Sequence, residues 1–120
     1  MGRRSRRRSG RAAPPTAPEQ AYADAEGNEL WLRGSLTAGS RREIAAAIGG
    51  NPLSREDAEQ RAFELLFERL AVRWTVAGVP TEGQRELLGR LRLASPAERR
   101  WVRETLRMHC AEHFPDVTVP

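Results

Sequence analysis

Between Ser54 and Gly78 the chain reads SREDAEQRAFELLFERLAVRWTVAG, and no other stretch of similar length carries so many large apolar side chains. Phe63, Leu66, Phe67, Leu70, Trp74 and Ala77 follow one another at steps of three and four, with Ala62, Leu65 and Val72 widening the stripe. Glu56, Asp57, Glu64, Glu68, Arg69 and Arg73 fall opposite it or at its edges. Such spacing gathers the apolar groups on one side of an α-helix, so a core must form around this segment. It predicts one long helix from Ser54 to Gly78, about 34 Å at roughly 1.5 Å per residue, ended by Gly78 and Pro80.

Start and stop signals divide the rest. Ser40 to Glu43 has the spacing of a capping box and leads into an apolar Ile44 to Ile48 segment, predicting a short helix from about 37 or 41 to 48. Gly49, Gly50, Asn51 and Pro52 end it. Ser54 with Asp57, Thr81 with Gln84, and Ser95 with Glu98 repeat the signal, the last with Pro96 at the favoured first helical position. Ala94-Ser95-Pro96 separates a third helix from a fourth that runs to about His113, because a residue before proline avoids helical geometry. Upstream, AYADAEGNELWLRGS reads as a hairpin with Gly27 taking the left-handed turn position. Leu30 and Leu32 would face the core, and Trp31 would point outward or tuck beneath a neighbour.

The predicted class is therefore mainly α: a small four-helix domain with a central long helix and an N-terminal β-hairpin. Residues 19–114 form the single domain, with the hairpin over about 19–34. Residues 1–18 hold like charges and prolines but no large apolar group, so a disordered Arg/Pro-rich tail is expected there. Residues 115–120 are expected to be loose.

All 20 basic residues are arginine, as in a GC-rich bacterial coding sequence, and the formal charge is +4. Arg3, Arg4, Arg6, Arg7, Arg8 and Arg11 account for six of them, leaving 14 Arg against 16 acids from residue 12 onward. The body is thus not globally basic. Its positive excess is local: residues 85–107 hold 7 Arg and 3 Glu. A single cysteine, Cys110, excludes an intramolecular disulfide and points to a reducing, cytoplasmic compartment. The N-terminal arginines precede RAAPPTAPEQ rather than an apolar signal segment, and no run approaches the roughly 18 apolar residues of a membrane span.

The absence of lysine excludes a phosphate-loop lysine and Schiff-base chemistry, and no GxSxG or HExxH motif occurs. Asp24, Glu26 and Asn28 alternate as calcium ligands do, without the glycine and terminal glutamate such a loop requires. His109 and His113 share a helix face, but no further His or Cys other than Cys110 exists to complete a metal site, so a structural role is expected. Cys110 has Leu106, Arg107, His113 and Phe114 at helical spacing, the surroundings of a packed thiol. No catalytic residue, cofactor or metal is expected, and the chain reads as non-enzymatic.

Binding rests on arginine. Arg99, Arg100, Arg103 and Arg107 cluster on the fourth helix, with Arg85, Arg90 and Arg92 on the one before. The principal expectation is a small cytosolic protein–protein interaction, adaptor or regulatory domain of unknown partner, with a homodimer through any uncovered part of the apolar stripe as one form. The alternative is a nucleic-acid-associated protein using Arg3, Arg4, Arg6, Arg7 and Arg8 together with the fourth-helix arginines. Against it, Glu98 and Glu104 interrupt the basic run, and no Asn or Gln on that helix offers bidentate reading of adenine.

Overall fold

A computed structural model of the chain describes residues 17–48 and 55–120. Strands β1 (Gln20–Ala23) and β2 (Glu29–Leu32) come first, then helices α1 (Ala38–Ile48) and α2 (Arg55–Leu70). Strands β3 (Ala71–Val76) and β4 (Val79–Glu82) follow, and helices α3 (Gln84–Arg92) and α4 (Pro96–His113) complete the chain. The four strands form one antiparallel sheet in the order β1-β2-β3-β4. The expected mainly α four-helix domain is thereby corrected: the protein is an α+β fold, with four helices and a four-stranded sheet among the described residues.

The correction lies inside the long apolar stretch. Helix α2 stops at Leu70 and the next residue, Ala71, already begins β3. Val72-Arg73-Trp74-Thr75-Val76 is rich in β-branched and aromatic side chains, which fit a pleated surface better than a helical one. Ala77 and Gly78, with φ of 52° and 79°, then form a two-residue turn, and Val76 pairs with Val79 across it. Positive φ at both central residues defines a type I′ turn, whose twist matches that of the flanking strands. The helix loses its continuation but not its end groups. Arg33, just after β2, donates through Nη1 to the carbonyls of Arg69 at 3.2 Å and Ala71 at 3.3 Å, and its backbone N–H donates to Leu70 O at 2.8 Å. Carbonyls left unpaired by the end of α2 are thereby satisfied.

The first hairpin has the expected form. Gly27 has φ of 83°, and the Asp24 carboxylate accepts from Glu26 N, Asn28 N and Asn28 Nδ2, each at 2.9 Å. Leu30 sits opposite Trp74, and both are buried, as is Leu32. The other sheet face carries Ala21, Trp31, Arg73 and Glu82 in one cross-strand row, Arg73 lying 4.9 Å over the Trp31 ring. One sheet face therefore supports the core and the other is largely open, the usual antiparallel arrangement.

Helix starts agree in part with the capping signals. Ser95 accepts from Glu98 N and Glu98 accepts from Ser95 N, a complete capping box with Pro96 in the first turn. Thr37, not Ser40, caps α1 by accepting from Ser40 N at 3.0 Å. Thr81 lies in β4, and α3 begins after Gly83, whose side-chain-free position makes no capping bond. The expected stop at Gly49 to Pro52 and the start at Ser54 lie outside the described residues.

The core unites all layers: Leu30, Leu32, Ile44, Phe63, Leu66, Phe67, Leu70, Trp74, Leu87, Leu91, Val102, Leu106 and Phe114 form one buried cluster. Ion pairs stitch the helices around it, Arg69 to Glu43, Arg92 to Glu64 and Arg90 to Glu98. No helix is long and apolar enough to cross a membrane among the described residues.

Candidate functional site

Three assemblies of polar groups stand out: a buried histidine network between the first hairpin and α4, a groove between α2 and α3, and an arginine-lined groove between α2 and α4.

His109 is 0 % exposed. Its Nε2 lies 2.7 Å from the Arg33 carbonyl, which can only accept, so Nε2 carries a hydrogen. In the neutral ring Nδ1 is then an acceptor, 2.7 Å from the Tyr22 hydroxyl. Burial holds the His109 pKa below its ordinary value, reinforced by His113, while the Arg33 carbonyl and Glu112 oppose the shift. Gln20 Oε1 lies 2.8 Å from the Tyr22 hydroxyl and 3.0 Å from His113 Nε2, extending the network to β1. Both nitrogens of His109 are committed to protein partners, so neither is open to a substrate or a metal ion. The network joins β1, the segment after β2 and α4; it is a structural fastening.

Cys110 is buried beside it, and burial pushes its thiol pKa up to about 11. A thiol so held is a poor nucleophile. Among the described residues no group of three or more His, Cys, Asp or Glu is placed to hold a metal ion.

The groove between α2 and α3, about 560 Å³, is lined by Glu68, Gln84, Arg85, Leu88, Gly89 and Arg92. Of its two arginines, Arg85 is exposed without an ion pair among the described residues and Arg92 is paired. Arg92 donates to both Glu64 oxygens, at 3.2 and 2.9 Å, and these bonds hold the Glu64 pKa below the usual carboxylate range against the opposing effect of burial. Arg90, also on α3, is bound to Glu98 at 2.8 Å and lies 4.9 Å over the Trp74 ring. The basic α3 surface expected from the sequence is thus mostly consumed by the fold.

The third groove, about 390 Å³, is lined by Gln60 and Phe63 of α2 and by Pro96, Arg99, Arg100 and Arg103 of α4. Four-residue steps align Arg99, Arg103 and Arg107 along α4, and Arg100 lies one turn before Arg103. Arg103 is anchored: its guanidinium lies 4.5 Å over the Phe63 ring and its Nε donates to Pro120 O at 3.1 Å. Arg99, Arg100 and Arg107 are exposed and form no ion pair among the described residues. Among the described residues no acidic side chain lines this groove, so its wall is cationic, with Arg103 lying over the buried Phe63 ring.

Of the residues expected to make contacts, the structure brings Arg99, Arg100 and Arg103 to one groove, with Arg107 a turn beyond it. Arg3, Arg4, Arg6, Arg7 and Arg8 lie outside the described residues. Phe63, Phe67 and Trp74 are 2 %, 0 % and 1 % exposed, so the stripe proposed as a dimer face is inside the fold. Sequence reasoning missed Gln60 and Phe63 as groove residues; the only available signal was the position of Gln60 one turn before Phe63 and Glu64. The chain matches no protein-family model, no curated protein and no solved structure.

Proposed function

We propose that the chain is a small, non-enzymatic protein–protein interaction domain of the cytosol that takes an acidic segment of a partner protein into the groove between α2 and α4. One observation carries this assignment: Arg99 and Arg100 stand exposed and without an ion pair among the described residues, at a groove walled by Arg103 and lined by Phe63 and Pro96. Guanidinium groups match carboxylates in bidentate geometry.

A nucleic-acid-associated role remains the second reading, favoured by the exposure of Arg99, Arg100 and Arg107 on one helix. It is weakened by the internal use of Arg90 and Arg92, which leaves Arg85 as the one α3 arginine without an ion pair among the described residues.

Fluorescence anisotropy decides between them. A glutamate-rich peptide, a single-stranded oligonucleotide and a duplex are titrated with wild type and with Arg99→Glu/Arg100→Glu, each at two salt concentrations. Peptide binding that the double variant abolishes is the expected result. Equal peptide binding by both proteins, or oligonucleotide binding tighter than peptide binding, would overturn the proposal.

A further inference from the structure

Residues 115–120 turn back along α4. Val117 N donates to Phe114 O at 2.9 Å, Asp116 meets Arg41 of α1 at 3.5 Å, and Pro120 O accepts from Arg103 Nε at 3.1 Å. Arg103 lies eleven residues before Phe114 on the helix, a rise of about 16 Å that an extended segment of this length can cover. Val117 and Val119 are partly buried against the core cluster. The segment therefore passes from α1 to the place where Arg103 covers Phe63, which is the mouth of the arginine groove.

Its attachment is slight. Among the described residues Val117 N is the one backbone donor of residues 115–120 with a partner, and no strand ladder forms. The Arg41–Asp116 pair is open to solvent, with side chains 41 % and 71 % exposed, and exposed pairs of this kind contribute little. Apolar contacts of two half-buried valines and one charge-assisted bond from Arg103 hold the rest. Segments with few backbone bonds and modest burial open at low free energy.

We propose that the surface running along α4, from Arg41 of α1 to the groove between α2 and α4, is a docking site for an extended partner segment in which an acidic residue precedes two apolar β-branched residues at alternate positions, followed by further acids. Residues 115–120 occupy its α1-side half in cis, as a strap that the partner displaces. This rests on the acidic-segment reading of the arginine groove and adds the apolar half of the ligand. The occupant is identified by the strap's own chemistry: Asp116 supplies the acid facing Arg41, Val117 and Val119 the buried pair, and Pro120 the carbonyl on Arg103. Among the described residues Arg99 and Arg100 form no hydrogen bond or ion pair with the strap, so acids following its last position in a partner would meet them.

The test uses the full chain and a fluorescein-labelled peptide, Asp-Val-Thr-Val-Pro-Glu-Glu, titrated into wild type, Asp116→Arg and Val117→Asp/Val119→Asp. Asp116→Arg places like charge against Arg41 at an exposed position and loosens the strap slightly, while Val117→Asp/Val119→Asp removes the apolar contacts that hold it. A closed strap lowers apparent affinity by the fraction of open protein, so the valine double variant should tighten peptide binding by roughly 10-fold or more and Asp116→Arg by less. Equal affinity for all three proteins, or binding to none, would overturn the strap. A second probe ending at the proline separates the two proposals. If it binds the released variants as tightly as the longer peptide, the strap stands and the arginine groove reading fails. If a glutamate-rich peptide without valines binds all three proteins while the valine probe binds neither variant more tightly than wild type, the groove reading stands and the strap fails. A wild-type dimer in sedimentation that the probe dissociates would make a second copy the occupant and overturn the partner assignment.

Discussion

Ala77→Asn should stabilise the protein, and the sign of that change separates a hairpin from a helix at residues 71–82. Ala77 has φ of 52°, a left-handed conformation in which its Cβ crowds the following carbonyl. For an L-residue other than glycine, asparagine or aspartate this costs about 1–2 kcal/mol. Asparagine tolerates the region, and followed by Gly78 it would give the Asn-Gly pair preferred in type I′ turns. Ala77 is exposed, so the larger side chain meets no core residue. The N–H of Ala77, which donates to Asn28 Oδ1 at 2.9 Å, is unaffected. Recovering about half of the strain gives a gain of roughly 0.5–1 kcal/mol, or about 2–8 °C in Tm for a domain of this size. Were the segment the last turn of a continuous helix, alanine would be the best residue there and asparagine would lose about 0.5–0.7 kcal/mol. Thermal unfolding followed by circular dichroism, with urea unfolding alongside, reads the difference. A lower Tm for Ala77→Asn would refute the turn and with it the strand β3.

Other consequences follow from buried groups. Because the folded pKa of His109 is lowered by burial, the unfolded chain binds more protons below its ordinary value of about 6.5. Stability is therefore complete above that pH and falls toward pH 5, by no more than about 1.4 kcal/mol per pH unit for one proton; urea unfolding at pH 7.5 and 5 should show a decline that His109→Gln lacks. Glu98→Ala removes half the α4 capping box and the Arg90 partner, and should lower stability by about 1–2 kcal/mol in urea unfolding, against little change for exposed Glu104→Ala. Cys110 should resist a disulfide reagent at pH 8 in the folded protein and react stoichiometrically in denaturant, its thiol being buried and pushed up to about 11.

The error over residues 71–78 shows where sequence periodicity stops being informative. Phe63, Leu66, Phe67 and Leu70 face the core from a helix, and Trp74 faces the same core from a strand, yet all five keep three- and four-residue steps. A stripe that crosses from one element to the next on the same core can preserve helical spacing without helical structure. The signal that opposed it was local: Val72, Trp74, Thr75 and Val76, four strand-favouring residues within five, then Ala77-Gly78. Features set by neighbours in sequence, such as the Ser95 box and the Gly27 turn, were legible. Those set by distant partners were not, among them the Arg33 contacts at the end of α2 and the Tyr22–His109 bond.

Arginine usage shows the same limit at the candidate site. Arg41, Arg73, Arg90 and Arg103 each lie over an aromatic ring, with the guanidinium 4.5–5.2 Å from the centroid. Arg41, Arg90 and Arg103 thereby cover rings of the core, Phe114, Trp74 and Phe63, while Arg73 covers Trp31 on the open sheet face, a use that stems and planar heads make favourable. Counting charges along α3 and α4 could not separate such covers from Arg99 and Arg100.

Arg99 and Arg100 are proposed to form a carboxylate-binding surface, and calorimetric titration with a glutamate-rich peptide measures that binding. Wild type should bind with an affinity that falls as salt rises, and Arg99→Glu/Arg100→Glu should show no binding while keeping the wild-type melting temperature. Undiminished binding by the double variant would contradict the claim.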